Sequence, residues 1–188
     1  MMSPLRNEDR RWLLQLARSV IVAKLDRERD VDVPDNAPAA LKEKRGCFVT
    51  LHKKGRLRGC IGTIEPVQSL VAGVRENALN AAFQDPRFPG LEKKELAEIS
   101  IEISVLTVPV LLEYEDIGDL KAKLRPGVHG VILSKGWQRS TFLPQVWEQL
   151  PDKELFLSHL CHKAGMKKEC WKGEDIKIRV YEAEYFSE

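Results

Sequence analysis

The pattern of hydrophobic and polar positions in the first part of the chain predicts a helix followed by a β-hairpin. Apolar residues recur at helical spacing from residue 7 to about residue 29, and Asn7 is a plausible cap for this helix. Residues 30–44 contain Pro34 and Pro38, which break the period and predict an irregular connection. Residues 46–51 and 56–64 are rich in strand-forming types and flank a turn-like segment. We therefore expect a hairpin after the first helix.

The rest of the chain alternates in the same way between helical and strand periodicity. A helix with a small apolar face is predicted to follow Pro66, and isoleucine and valine alternate with polar residues over 99–105 as in a half-buried strand. The remaining predicted elements are a short helix over 116–124, a second hairpin over 130–133 and 138–143, a helix capped by Asp152 and stopped by Gly165, and a strand over 176–180.

This order of elements predicts an α+β fold with a mainly antiparallel sheet flanked by helices. Two hairpins with short turns favour antiparallel pairing over a doubly wound parallel sheet. The sequence contains no internal repeat, low-complexity tract or flexible linker. We expect one domain over residues 1–188, in which any second lobe is an intertwined subdomain with no boundary readable from the sequence.

Composition narrows the class of protein further. Hydrophobic residues make up 43% of the chain and charged residues 31%, so a disordered chain is not expected. No apolar run approaches the length of a membrane span. The first eleven residues include several charged side chains where a signal peptide would be apolar, so we expect a cytoplasmic protein without a membrane contact. In a reducing compartment a chain of this size needs no disulfide, and we expect all its cysteines to be free thiols: Cys47, Cys60, Cys161 and Cys170.

The segment over 57–63 is the least ordinary part of the sequence. Gly59 and Gly62 stand inside a predicted strand, where glycine is costly and marks a bulge or a close approach by a backbone or ligand. Cys60 lies between them with Arg58 nearby, and positive charge would lower the pKa of its thiol and favour nucleophilic or redox chemistry. The alternative is a small buried cysteine in a tightly packed strand.

A nucleophilic cysteine needs a base, and the sequence offers three candidates without placing any of them. These are His52, His129 and Asp85. Asp85 also forms, with Arg87, a proline-rigid turn before Phe88. Such a turn either holds an anionic ligand through arginine or is tied down by an Asp–Arg pair, and the structural role is the simpler one.

Two further segments contain residues that could bind a ligand, but neither completes a binding site. His159 and His162 share a helical face, yet two imidazoles do not make a metal site, so we expect no metal and no cofactor. The basic residues over 53–58 could meet the phosphates of RNA or a nucleotide. A net charge of +2 and the lack of a phosphate-binding or RNA-recognition motif make nucleic acid the less favoured partner.

The chain resembles the AMMECR domain family, whose prokaryotic members are called AmmeMemoRadiSam system protein A. The resemblance covers most of the chain. It rests on ordered blocks at residues 46–51, 57–62, 81–88, 101–106, 127–130, 142–146 and 163–165. Small departures occur at Gly90 and Met166, where proline and leucine are common in the family, and neither touches the 58–62 segment.

The resemblance implies an α+β fold with a larger and a smaller subdomain and a cleft between them near the 58–62 segment. It also implies a functional association with a Memo-type protein and a radical S-adenosylmethionine protein, but supplies no catalytic mechanism. The predicted function is an accessory component of that system. The alternatives are an enzyme or ligand binder that uses Cys60, with Arg58, Gly59, Gly62, Asp85 and Arg87 around a small anionic group, and an RNA or nucleotide binder that uses the basic residues.

Overall fold

The computed structural model describes residues 5–27, 32 and 37–188, and the α+β class is confirmed. Among these residues there are four α-helices and two four-stranded sheets. The helices are α1 Asn7–Leu25, α2 Leu70–Phe83, α3 Ile117–Lys123 and α4 Lys153–Lys163. The strands are β1 Cys47–Lys53, β2 Arg56–Thr63, β3 Ile99–Leu106, β4 Val110–Leu111, β5 Gly130–Lys135, β6 Gln138–Phe142, β7 Lys177–Tyr181 and β8 Ala183–Ser187.

The strands form two sheets where the sequence suggested one. The first sheet has the order β2-β1-β3-β8 and the second the order β4-β7-β5-β6. Both predicted hairpins are present as the antiparallel pairs β1–β2 and β5–β6. Strands β4 and β8 were not predicted. β4 has only two residues, which is too short for an alternation to be seen.

The chain divides into two compact units, each with its own core. The first unit contains the chain up to Val108 together with 184–188, and α1 and α2 pack there against the first sheet. The core residues alternate along the central strands, as the sequence predicted for 99–105. They include Val49 and Leu51 on β1 and Ile101 and Ile103 on β3, all fully buried.

The second unit, Pro109–Ala183, is built on the second sheet and α4. Phe156 of α4 stacks on Trp147 with ring centroids 3.6 Å apart, and both rings are buried. Trp147 donates its indole N–H to the carbonyl of His129 at 2.7 Å, which satisfies the one polar group of this buried ring.

The start of α4 follows its predicted signal, but the starts of α1 and α2 do not: α2 begins at Leu70 after the cap Ser69, and not directly after Pro66. Asp152 caps α4 by accepting a hydrogen bond from the Leu155 N–H at 2.8 Å, as expected. The predicted cap Asn7 is instead the first residue of α1. Arg6 is the N-cap, and its backbone N–H donates to Asp9 at 3.2 Å, so the third residue of the helix supplies the capping side chain.

Helix α1 ends at Leu25, earlier than predicted. The predicted end near residue 29 lies outside the described residues, as do residues 30, 31 and 33–36 of the expected irregular connection over 30–44. The described end of that connection contains a short 3₁₀ helix, Ala39–Lys42. Within the described part of the chain no helix is both long and apolar enough to cross a membrane.

The expectation of four free thiols is wrong for two of them. Cys161 on α4 and Cys170 form a disulfide with their Cα atoms 5.8 Å apart. The chain reverses at Gly165, which has a φ of 73°, and the Met166 N–H returns to the Cys161 carbonyl at 2.9 Å. This reversal brings Cys170 back beside the helix, a proximity that the sequence spacing did not reveal. Cys47 and Cys60 are free.

Candidate functional site

The glycine-flanked segment lies on β2, at an edge of the first sheet. The β1–β2 turn places Lys54 and Gly55 at φ angles of 50° and 76°, the left-handed pair typical of a tight hairpin. The register shifts at Leu51, so that Leu51 faces Gly59 while the next residue of β1 faces Leu57. Arg58 is therefore the extra residue of a β-bulge, which redirects its side chain.

Both glycines of the segment are required by close packing. A Cβ atom on Gly59 would lie 2.1 Å from the carbonyl oxygen of Ala81, so the backbone of α2 leaves no room for a side chain there. A Cβ on Gly62 would lie 2.3 Å from the Phe48 ring of the neighbouring strand. The predicted close approach therefore exists, and protein atoms supply it at both positions.

Arg58 is held in a buried ion pair. Its side chain and that of Glu95 are each only 10% exposed. Arg58 Nε and Nη2 donate to the two carboxylate oxygens of Glu95 at 3.1 and 3.0 Å, and Nη2 also reaches the Gly90 carbonyl at 3.3 Å. Hydrogen bonds from Arg58, and then from Lys53, lower the pKa of Glu95 to about 2. The third nitrogen, Arg58 Nη1, is buried and has no acceptor among the described residues.

Asp85 and Arg87 are joined to the backbone of Cys60. Asp85 Oδ2 accepts the Cys60 N–H at 2.9 Å, and Arg87 Nη2 donates to the Cys60 carbonyl at 3.3 Å. The two side chains are paired with each other at 2.6 Å. Together they occupy both outward backbone groups of Cys60, as a further strand would. The expected Asp–Arg tie is thus present, and it fastens the turn to the sheet edge.

The charge on Asp85 is strongly stabilised. Its side chain is 2% exposed, while that of Arg87 is 53% exposed. The hydrogen bond from Arg87, followed by those from the backbone N–H groups of Cys60 and Arg87, holds the pKa of Asp85 well below its usual range despite burial. Phe88 lies near both guanidinium groups, with its ring centroid 5.9 Å from Arg58 Cζ and 5.5 Å from Arg87 Cζ.

Of the two readings of Cys60, the pKa of the thiol agrees with the packed cysteine and contradicts the activated thiol. Burial raises the pKa of Cys60 above the ordinary thiol value. The hydrogen bond from Thr50 Oγ1 at 3.3 Å and the charge of Arg87 act in the opposite direction but do not outweigh burial. Arg58 is engaged with the carboxylate of Glu95.

None of the three candidate bases forms a hydrogen bond with the thiol. Asp85 binds the Cys60 backbone, and its lowered pKa makes it a poor proton acceptor. His129 is buried in the second unit, where it accepts a hydrogen bond from Arg125 Nε at 3.0 Å. His52 lies on β1 opposite Leu57.

Two carboxylates, Glu95 and Glu98, pair with three of the four basic residues of the first hairpin. Lys53 pairs with Glu95 at 2.8 Å and with Glu98 at 3.4 Å, and Lys54 pairs with Glu98 at 2.9 Å. Arg58 is buried as described above. This arrangement weakens the case for a phosphate-binding surface, because the two carboxylates offset about half of the positive charge of the segment.

The two histidines of α4 lie at a small depression that also includes Leu155, Ser158 and Lys168. Within the described residues no group of three or more His, Cys, Asp or Glu side chains could hold a metal ion.

Sequence reasoning missed the residues that decide the chemistry of the site. Glu95 neutralises Arg58 from 37 positions along the chain, and Thr50 reaches Cys60 across the hairpin. The pairing of Thr50 with Cys60 follows from the hairpin register and could have been found from it. No feature of the sequence indicated that Glu95 pairs with Arg58.

Comparisons with known proteins identify one family model and several similar proteins. The model of the AMMECR1 family matches residues 14–186. A protein of Methanothermobacter thermautotrophicus is 41% identical over 187 residues, which cover 99% of this chain and 97% of that protein. Protein MK0488 of Methanopyrus kandleri is 42% identical over 96% of this chain and 89% of its own length. The crystal structure of the uncharacterized protein PH0010 from Pyrococcus horikoshii superposes with a TM-score of 0.91 at 36% identity, covering 98% of this chain and 93% of PH0010.

Proposed function

This chain belongs to the AMMECR1 family, and on that basis we propose that it is an accessory protein that works with a Memo-type protein and a radical S-adenosylmethionine protein. In this proposal it contributes binding surface to the system and performs no reaction of its own. The family resemblance motivates the choice of partners, and the internal chemistry of the β2 site motivates the accessory role.

The observation that carries the accessory role is the pairing of the charged groups around Cys60. Arg58 is bound to Glu95 and Arg87 to Asp85, so both guanidinium groups are engaged with carboxylates of the same unit. A catalytic cysteine needs a lowered pKa or an adjacent base. The pKa of Cys60 is instead raised, and Asp85 is fixed on the backbone of the strand. These features fit a rigid structural edge better than a reaction centre.

The proposal is tested by capture of purified partners. The tagged chain is mixed with the purified Memo-type and radical S-adenosylmethionine proteins of the same organism, and complex formation is measured by size-exclusion chromatography with light scattering. We expect a defined complex with at least one partner. A Cys60→Ala variant should form the same complex and should complement a deletion strain as well as the wild type does. Absence of any complex, together with loss of complementation by Cys60→Ala, would reject the accessory role.

A second candidate is a small-anion site, and one observation favours it. Arg58 Nη1 is buried without an acceptor in the part of the chain that the structure describes, and an unsatisfied buried donor costs free energy of about 1–3 kcal/mol. Arg87 is half exposed and, like Arg58, lies near the Phe88 ring, and it would supply the entry side of such a site. Gly59, Cys60, Gly62 and Asp85 would form its frame, with Cys60 as the nucleophile or redox thiol if the site is catalytic.

The anion site is tested by thermal unfolding in the presence of inorganic phosphate and of citrate at constant ionic strength. Specific binding should raise the unfolding temperature of the wild type and of Arg87→Lys more than that of Arg87→Gln. Equal shifts in all three proteins would indicate a general salt effect and remove this candidate.

A further inference from the structure

The second unit contains a groove that the β2 site does not involve. It has a volume of about 490 Å³ and lies where the chain that follows β4 diverges from the segment that leads into β7. One wall is the stretch 111–117, and the other is the stretch 171–178. Both walls belong to the unit Pro109–Ala183.

The interior of the groove is apolar and partly open. Leu111 is 52% exposed, and Leu112 and Tyr114 are half-buried beside it. Trp171 and Ile176 form the base and are almost fully buried. Exposed aliphatic side chains next to a buried aromatic base are typical of a surface that binds apolar side chains of a partner.

The rim of the groove is acidic, although the chain as a whole carries a net charge of +2. Four carboxylates line it against two lysines. The carboxylates are Glu113, Glu115, Asp116 and Glu174, and the lysines are Lys172 and Lys177. Lys172 pairs with Glu169, which lies outside the groove. In the described part of the chain neither Glu113 nor Glu115 forms an ion pair, so both remain available to a cationic partner.

The edge of β4 offers backbone groups beside this rim. The Leu112 N–H donates to the Ile178 carbonyl at 2.9 Å, and Leu111 lies opposite Arg179. In an antiparallel ladder the outward groups alternate with the paired ones, so the N–H and C=O of Leu111 are directed away from β7. A partner chain in extended conformation can pair with such an edge while its side chains enter the groove.

Both walls are held in place before any partner arrives. The disulfide Cys161–Cys170 anchors one wall, and the Trp171 N–H contacts Cys161 Sγ at 3.1 Å. Lys123 anchors the other by donating to the Glu113 carbonyl at 2.8 Å and to Asp119 at 2.7 Å. A preformed groove loses little entropy on binding.

We propose that this groove binds an extended segment of a partner protein in which apolar residues alternate with lysine or arginine. The apolar side chains contact Leu111, Tyr114 and the Trp171 base, and the cations pair with Glu113 and Glu115. This inference builds on the accessory function proposed above, since it locates a contact through which a partner protein is held.

The probe is a short, fluorescein-labelled synthetic peptide in which lysine alternates with valine, titrated with the whole protein and followed by fluorescence anisotropy. We expect saturable binding that weakens as salt is raised. A peptide in which glutamate replaces lysine should not bind. Glu113→Lys should weaken binding of the lysine peptide about fivefold, because it replaces one attraction by a repulsion.

Glu148→Lys is the matched control, because Glu148 is exposed in the same unit but outside the groove. It makes the same change in net charge and should alter the affinity less than twofold. No saturable binding at millimolar peptide, or equal weakening by Glu113→Lys and Glu148→Lys, would overturn the groove proposal. Leu111→Ser tests the apolar contact independently and should also weaken binding.

The two proposals fail in different ways. If the purified partners bind the wild type and Glu113→Lys equally well, the accessory function stands and the groove proposal falls. If the lysine peptide binds in the groove but neither purified partner does, the groove is a peptide site and the proposed choice of partners is wrong.

Discussion

Asp85 accepts the backbone N–H of Cys60 at 2.9 Å from 25 positions away in the chain. This bond joins the turn after α2 to the edge of the first sheet at the residue that the sequence singled out for chemistry. The Asp85 carboxylate therefore binds the peptide group of Cys60, whereas the thiol of Cys60 accepts a hydrogen bond from Thr50. The stability of the first unit and the reactivity of Cys60 depend on this hydrogen bond and on the buried Arg58–Glu95 pair.

Loss of the Asp85 charge should remove a pH-dependent part of the stability. Because the folded pKa of Asp85 lies below its ordinary value, the unfolded chain binds the proton more readily. The contribution is therefore present above about pH 4 and is lost as the pH falls below that value. Asp85→Asn should lower the free energy of unfolding at pH 7 by roughly 2 kcal/mol and flatten its decline in acid. Urea unfolding between pH 7 and pH 2 measures both effects, and an unchanged acid slope would contradict the assignment.

Removing Glu95 should be far more damaging than removing Glu98. Glu95→Gln leaves the Arg58 charge buried without its carboxylate and should cost about 3 kcal/mol. Glu98→Gln removes an exposed partner of Lys54, and the loss should be much smaller because solvent screens an exposed ion pair. Urea unfolding of both variants at pH 7 provides the comparison. Similar losses in the two proteins would mean that the Arg58–Glu95 pair is effectively solvated.

Gly59 should not tolerate a methyl group. Gly59→Ala places a Cβ 2.1 Å from the Ala81 carbonyl, so α2 must shift, at a cost of roughly 2 kcal/mol. Gly90→Ala is the control, because the nearest atom to its added Cβ is 3.8 Å away, and it should change the stability by less than about 0.5 kcal/mol. Thermal and urea unfolding of the pair decide the point. A stable Gly59→Ala protein would show that the contact with α2 is easily relaxed.

Cys60 should react slowly with iodoacetamide at neutral pH. Burial raises its pKa, so the labelling rate should increase with pH to an apparent pKa above the ordinary value of about 8.5. Arg87→Gln should raise that pKa further, because Arg87 lowers it in the wild type. Peptide mass spectrometry reads the rate, with Cys47 as the internal control because its pKa is raised to about 11 and it is fully buried. Rapid labelling of Cys60 near neutral pH would revive the nucleophile hypothesis.

Reduction of the disulfide should destabilise the protein measurably. Closing a loop between residues nine positions apart contributes roughly 2–3 kcal/mol by chain entropy. Dithiothreitol should therefore lower the unfolding temperature of the wild type. It should have no effect on a Cys161→Ser/Cys170→Ser variant, which retains the free thiols Cys47 and Cys60 as controls. An equal effect of the reductant on both proteins would argue against this bond.

The sequence predicted the elements whose signals are local. The helical period before Leu25, the alternation over 99–105 and the hairpin turns each depend on neighbours within a few residues, and all of them are present. The unpredicted strands β4 and β8 lack such signals. The close approach at Gly59 was also predicted, because glycine inside a strand is costly unless space demands it. The sequence did not indicate that the group approaching Gly59 is the Ala81 carbonyl of α2.

The sequence by itself thus determined the α+β class, the hairpins and the unusual character of the 57–63 segment. Only the tertiary structure decided the chemistry of that segment. Glu95 neutralises Arg58, burial raises the pKa of the Cys60 thiol, and Asp85 binds the backbone. The disulfide between Cys161 and Cys170 likewise depends on a chain reversal. The physical reason is that charge pairing and burial are set by distances in space, which separation along the chain does not fix.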